Sequence, residues 1–506
     1  MNRTALALAA AVTALAAITG FASLTAPSGG PAEAKAAARL PVERSSLLCP
    51  APSTSQLAET TYTSFTPAGE QGGATGSARL LPSAAGQGTD AADGGKKGGK
   101  KSKGPDQDKP VVSLKAPGRP VTAKDSGGES PALIGSADGR LAPGWTTQQT
   151  TTVDAGGSRG VLGTRCTAPD TDFWFPGAST SADRQDYVHL TNPDDTAAVA
   201  DIELYGKDGA IKSDVGEGIT VPAGSSVPVL LSTLAPDPAD NVTVHVSTRT
   251  GRVGAAVQSL DQKLGSDWLS ASAAPAGRMV LPGIPADATS VRLVAFAPGS
   301  DDVDLKVQLA AADGTITPAG HEGLHLKAGM TAAADLGDVT KGAAGSLVLS
   351  QDGGRKVPFV AALRVVRGKG SKQEVAFIPA TEPVGARSTA ADNRSKGSTL
   401  SLAAPGATAK VKVTSSAGTG GGDQVVKTYT VKGGTTLAVK PSVPSGLKGS
   451  YALTVQPESG GGEVYAARTL ELPEDGIPMF TVQTLPDDRG TVSVPAARQD
   501  LSLLDD

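Results

Sequence analysis

One pattern recurs along this chain at a fixed spacing, and it restricts the fold more than any other feature. Tyr187-Val188-His189-Leu190-Thr191-Asn192-Pro193 is followed by Asp201-Ile202-Glu203-Leu204-Tyr205 and by Asp208-Gly209. Arg292-Leu293-Val294-Ala295-Phe296-Ala297-Pro298 is followed by Leu305-Lys306-Val307-Gln308-Leu309 and by Asp313-Gly314. Pro193 and Pro298 stand 105 residues apart, as do Gly209 and Gly314. The same offset carries Ile219-Thr220-Val221 onto Leu324-His325-Leu326. A looser copy follows, with Leu400 to Pro405, Val411-Lys412-Val413, Tyr429 to Gly434 and Glu463 to Arg468. A repeat of about one hundred residues is the size of a small domain with its own core.

Inside each copy, apolar and polar residues alternate. Val242, Val244 and Val246 point one way, while Thr243, His245 and Ser247 point the other. Period two marks a strand with one face in a core. The runs end at Asp-Gly, Pro-Gly, Gly-Gly or Ala-Gly, which are turn signals. Aromatics make up only 3% of residues, so the cores must come mainly from Val, Leu, Ile and Ala. Together these features predict an all-β class, built as tandem immunoglobulin-like antiparallel β-sandwich modules.

The expected modules are 167–277, 278–373 and 374–506. They are opened by Phe173-Trp174-Phe175-Pro176-Gly177, Met279-Val280-Leu281-Pro282-Gly283 and Val375-Ala376-Phe377-Ile378-Pro379. The aromatic trio reads as a strand that buries its rings, in preference to a sugar-stacking platform. Residues 41–166 read as a degenerate copy. Ser46-Leu47-Leu48-Cys49-Pro50 is set on the Val188–Pro193 strand, and Val111 to Gly118 on the Ile219–Gly224 hairpin. Thr151-Thr152-Val153 and Gly160 to Cys166 are set on the last hairpin. This copy is broken at about 83–109 by a Gly/Lys-rich stretch that cannot bury a core and is expected to be disordered.

Cys49 and Cys166 are the only cysteines, and they pair most simply as one disulfide closing a loop of 117 residues. Such a bond is expected to tie an early strand of the first copy to its last one, so that removing it loosens that copy alone. At the N-terminus, Arg3 precedes an apolar run from Ala5 to Leu24, with small residues at Ala26, Ala34 and Ala36. Residues 1–40 therefore read as an apolar export helix, either a cleaved signal peptide or an uncleaved membrane anchor. The chain is expected to be exported, outside the cell or on the outer face of the cytoplasmic membrane or cell wall. A net charge of −4 spread over 506 residues gives no field that would select nucleic acid.

Several short motifs resemble chemistry. His321-Glu322-Gly323-Leu324-His325 matches H-E-x-x-H, which binds zinc only when a helix brings both imidazoles onto one face. The 105-residue offset sets it on Gly216-Glu217-Gly218-Ile219-Thr220, at the entry to a strand. Strand side chains four apart stand about 13 Å from each other, too far to share one ion. Gly156-Gly157-Ser158-Arg159-Gly160 matches the G-x-S-x-G elbow, but Thr-rich strand and turn replace the required strand and helix. The acidic pairs Asp170/Asp172, Asp194/Asp195 and Asp301/Asp302 fall in expected turns. No catalytic, cofactor or metal site is expected. Lys96, Lys97, Lys100, Lys101 and Lys103 are the one basic tract, a solvated loop or a contact for anionic polymer.

The Arg-then-Ala-rich start, Leu47-Leu48-Cys49-Pro50, the Gly/Lys tract, and Cys166 followed by Asp172-Phe173-Trp174-Phe175-Pro176-Gly177 resemble a secreted actinobacterial family of the Streptomyces type. That family is catalogued as a domain of unknown function. The resemblance implies a cell-envelope setting and brings no catalytic residues. The expected function is thus a non-enzymatic secreted or membrane-tethered envelope protein, a scaffold or set of binding modules. Its candidate partners are anionic wall polymer or envelope proteins. Two alternatives stand beside it: an accessory subunit of an envelope-glycan system, which requires an uncleaved N-terminal span, and a zinc hydrolase acting through His321, Glu322 and His325.

Overall fold

Alternation and turn chemistry give strands nearly everywhere. A computed structural model describes residues 38–69, 75–85, 108–213 and 215–494. These form antiparallel sheets with two single-turn 3-10 helices, Gly139–Leu141 and Leu231–Thr233, and among the described residues there is no α-helix. Nor is any helix among them long and apolar enough to cross a membrane. The apolar run Ala5–Leu24 and the Lys96–Lys103 tract lie outside the described residues.

The chain divides into two compact units. The smaller one, 1–40 with 492–506, is described only by a ribbon in which Ala38–Pro41 pairs with Thr491–Val494. The larger, 41–491, holds four β-sandwiches of one topology. The second sandwich shows the plan. Its first sheet runs Asp172–Ala178, Val242–Thr250, Ala198–Gly206, with Gly209–Ile211 and Ile219–Val221 at the edge. Its second sheet runs Gly265–Leu269, Gly254–Asp261, Arg184–Thr191, Ser225–Leu230. Phe173, Phe175, Val188, Leu190, Ile202 and Val244 fill the space between. The third sandwich repeats this order from Met279–Ile284 to Lys372–Pro379, and the fourth from Ser388–Asn393 to Phe480–Thr484. The first repeats it from Arg44–Cys49 to Gly160–Arg165.

Three expectations need correction. Ser46–Cys49 does not take the place of the Val188 strand. It opens the first sandwich, pairing with Leu133–Ser136, and the Val188 position belongs to Glu59–Phe65. That strand, Glu-Thr-Thr-Tyr-Thr-Ser-Phe, hides its alternation behind hydroxyls. Likewise, Val375–Pro379 does not open the fourth sandwich. It is the last strand of the third, paired with Ala362–Val366, so the expected boundary at 373/374 falls inside a hairpin. Finally, the Gly/Lys-rich insertion begins later than expected. Ser83 is buried, and Ala84–Ala85 adds a parallel edge to Ser225–Ser226 of the second sandwich.

The four sandwiches close into a ring. Their last strands, Gly160–Arg165, Gly265–Leu269, Lys372–Pro379 and Phe480–Thr484, pack first on second, second on third, third on fourth and fourth on first. At each seam the first sheet of one sandwich meets the second sheet of the next. Thr331 Oγ1 donates to Tyr205 O at 2.7 Å and Thr436 Oγ1 to Ala310 O at 2.7 Å, the same bond at successive seams. The ring closes where Phe65 of the first sandwich packs on Ala391 and Ala452 of the fourth. There Thr150 Oγ1 donates to Asp392 Oδ2 at 2.9 Å. A head-to-tail interface closes only when its rotation suits the number of units.

In the middle lies Asp267, 0% exposed. Its carboxylate accepts from Gly163 N of the first sandwich at 3.0 Å and from Thr481 Oγ1 of the fourth at 3.1 Å. The backbone N–H groups of Phe377 in the third and of its own neighbour Trp268 lie close enough to favour its charged form. One side chain of the second sandwich thereby bonds to the first and the fourth and faces the third.

Cys49 and Cys166 form a buried disulfide between the first strand of one sheet and the end of the last strand of the other. Since the first sandwich is held by both neighbours, the loss should not stay local, contrary to the sequence expectation. Cys49→Ser is expected to lower the stability of the whole larger unit by up to about 4–5 kcal/mol. Urea unfolding followed by tryptophan fluorescence and by circular dichroism should give coincident curves. An early separate transition confined to the first sandwich would contradict coupling through the ring.

Candidate functional site

The seams are where this fold places its distinctive chemistry. In each sandwich one row of first-sheet side chains faces the next sandwich, and strand register identifies the four rows as equivalent. They are Leu48–Ile134–Leu81, Trp174–His245–Glu203, Val280–Val348–Gln308 and Thr389–Thr454–Thr414.

The first row is apolar. Leu48 presses so close to Gly254 that a Cβ there would lie 2.8 Å from its own Cβ, and the cavity left at this seam is about 10 Å³. In the third row Val280 and Val348 join Ala310, Ala403 and Tyr465 in one apolar cluster, with Gln308 at its end.

The second row is aromatic and charged. Trp174 stacks on His245, with ring centroids 3.8 Å apart, and meets Phe296 of the third sandwich at 5.5 Å. His245 Nδ1 lies 2.7 Å from Glu203 Oε2, and Nε2 lies 3.2 Å from Asp172 Oδ2. The Tyr205 hydroxyl donates to Glu203 at 3.1 Å. Phe173 and Phe175 enter the core of the second sandwich, while Trp174 packs with the core of the third. All three rings are buried. The trio therefore serves packing, as its pattern implied, although Trp174 is buried between sandwiches and not between sheets.

The fourth row carries only threonines, and the seam there is not filled. A cleft of about 140 Å³ remains between the first and fourth sandwiches. Phe65 and Pro67 line one side; Lys412, Thr414, Thr454 and Gln456 line the other. Lys412 is exposed and has no hydrogen-bond or ion-pair partner among the described residues. Arg387, also at the cleft, is engaged by Asp488 Oδ2 at 2.5 Å.

A second polar group sits at the centre of the ring. Glu374, on the last strand of the third sandwich, has a side chain 0% exposed and 3.5 Å from Arg159 Nη2. Burial pushes its carboxyl up, Arg159 draws it back and the nearby Asp267 raises it, to about 9 in all. Burial likewise raises Asp267 well above the ordinary carboxylate range. Arg468 is wholly buried, which pulls its guanidinium down to about 10, and it donates to Gln483 Oε1 at 2.7 Å. Sequence reasoning passed over these residues. The available signal was a lone charge inside an otherwise apolar strand, as in Asp267-Trp268-Leu269.

The motifs singled out from sequence take plainer places. His325 lies in the strand Gly323–Leu326, paired with Val303–Lys306, and its Nδ1 is 2.8 Å from Asp304 Oδ1. His321 stands before that strand, so no helix unites the two imidazoles. Among the described residues, no group of three or more His, Cys, Asp or Glu side chains is placed to hold a metal ion. Gly156–Gly160 is the turn into the last strand of the first sandwich, and its Arg159 reaches out to the third. Asp194 and Asp301 pair with Arg252 and Arg355, a repeated surface ion pair.

A profile described as a family of unknown function, DUF5719, matches residues 121–442. Comparison with curated proteins and with solved structures gives no match.

Glu374 sets a direction for pH dependence. Its folded value lies above its ordinary 4.5, so the stability it contributes is complete below about 4.5 and is lost as pH rises towards 9. Melting temperature should fall over that window. Glu374→Gln, which keeps the neutral shape, should flatten the fall and melt higher than the parent at about pH 9. Calorimetry at about pH 5 and about pH 9 checks this, and an unchanged slope would contradict it.

Proposed function

The chain belongs to DUF5719, a family of unknown function, and from that premise we propose that it is an exported, non-enzymatic protein of an actinobacterial cell envelope. On this reading it is a scaffold of immunoglobulin-like sandwiches that holds binding surfaces in fixed relation. The observation that carries the reading is ring closure. Four sandwiches locked through Asp267 and four seams present their outer loops and clefts as one body, and a rigid support is what a binding surface needs.

The compartment is supported separately. A buried disulfide persists in an oxidising environment and is rare in the cytosol. The apolar run Ala5–Leu24 supplies the means of export. Lys96, Lys97, Lys100, Lys101 and Lys103 give the scaffold a basic contact for anionic wall polymer.

Fractionation of cells expressing the full chain tests this. The protein should be recovered outside the cytoplasmic membrane with Cys49 and Cys166 oxidised, as thiol alkylation followed by mass spectrometry would show. Recovery from the cytosol with both thiols alkylated would overturn it.

A further inference from the structure

At the first seam side chains leave little space, while the closing seam keeps an open cleft. At the other three, the equivalent row brings Leu48, Trp174 or Val280. At the closing seam the position falls to Thr389, with Thr454 and Thr414 across the register. The contrast in space is large: about 10 Å³ at the first seam against about 140 Å³ here. At about 30 Å³ of liquid volume per water, the cleft has room for roughly five waters or a small polar ligand.

The lining is chemically specific. Thr414, Thr454, Gln424 and Gln456 bring hydroxyls and amides, which both donate and accept and so match a ring of hydroxyl groups. Gln424, Gln456 and Lys412 have no hydrogen-bond partner among the described residues. Next to Thr454 in the row, Thr389 is 1% exposed and its hydroxyl has no partner. A buried hydroxyl left unpaired is costly, and this one stands beside the cleft without lining it. No carboxylate lines the cleft, and with Arg387 held by Asp488 its free charge is the single ammonium of Lys412.

We propose that the cleft between the first and fourth sandwiches binds a monosaccharide carrying one acidic group, with Lys412 taking the acid and the Thr and Gln side chains taking the hydroxyls. The proposal rests on the scaffold reading and gives it one ligand. The acidic group is a carboxylate, as in a uronic acid, or a phosphate, as in a sugar phosphate.

Isothermal titration of the purified full chain with glucuronate, glucose 6-phosphate, glucose and inorganic phosphate tests it. At least one of the two acidic sugars should bind saturably, with a dissociation constant of about 1 mM. Glucose and inorganic phosphate should each bind at least about tenfold more weakly. Lys412→Ala, at an exposed position, should weaken the acidic sugar by about tenfold with an unchanged melting temperature. Thr414→Leu should block the cleft for both acidic sugars. If Thr414→Leu lowers the melting temperature, Lys412→Ala alone decides. The proposal is overturned if neither acidic sugar binds, if inorganic phosphate binds as tightly as glucose 6-phosphate, or if Lys412→Ala binds like the parent. Any of these would leave the fractionation result, and so the scaffold reading, untouched.

Discussion

Asp267 takes a carboxylate out of water at the point where four last strands converge. Stripping an ion of its water costs several kcal/mol, which geometry alone cannot offset unless donors surround it. Here Gly163 N of the first sandwich and Thr481 Oγ1 of the fourth donate to it, and the backbone N–H groups of Trp268 and of Phe377 in the third favour its charge. If any one sandwich is displaced, the carboxylate loses a partner in a place that water does not reach. The carboxylate therefore makes the sandwiches mutually dependent. The burial of Glu374 beside it and the reach of Arg159 across to the third sandwich reinforce the same dependence.

The ring also explains why one interface is filled in four ways. Each seam repeats the geometry of the last, as the bonds from Thr331 and Thr436 show. Geometry is thus fixed, while the side chains on the facing row are free to differ. Leucine, a tryptophan–histidine stack and valine take the facing positions at three seams. Threonine gives a polar cleft at the seam that joins the first sandwich to the fourth. A closed ring tolerates one incompletely packed seam because the other three seams and the central carboxylate hold the sandwiches on either side of it.

Much of the fold was legible in the sequence, and the reasons are local. Period-two alternation in Val242–Val246 and the Asp-Gly and Ala-Gly turns act within a strand or hairpin, so one stretch of chain carries the whole signal. The cysteine pair was legible because no third cysteine competes. What could not be read depends on contacts between strands far apart in the chain. Glu59–Phe65 was overlooked because hydroxyl side chains fill its buried positions, where Thr60 and Thr151 bond to each other. Val375–Pro379 looked like an opening strand because first and last strands are both apolar, and pairing alone separates them. The candidate cleft left no mark at all. Thr414, Gln456 and Lys412 read as ordinary outward residues of alternating strands, and only ring closure brings Phe65 opposite them.

The account's central claim is that the four sandwiches stand or fall together about Asp267. Native-state hydrogen exchange of the amides that meet its carboxylate measures this directly. Gly163 and Phe377 should exchange only through global unfolding, with one common opening free energy and one common dependence on denaturant across the four last strands. Exchange of Gly163 at a distinctly lower opening free energy than Phe377 would mean that the first sandwich opens by itself, and the ring would not be the unit of stability.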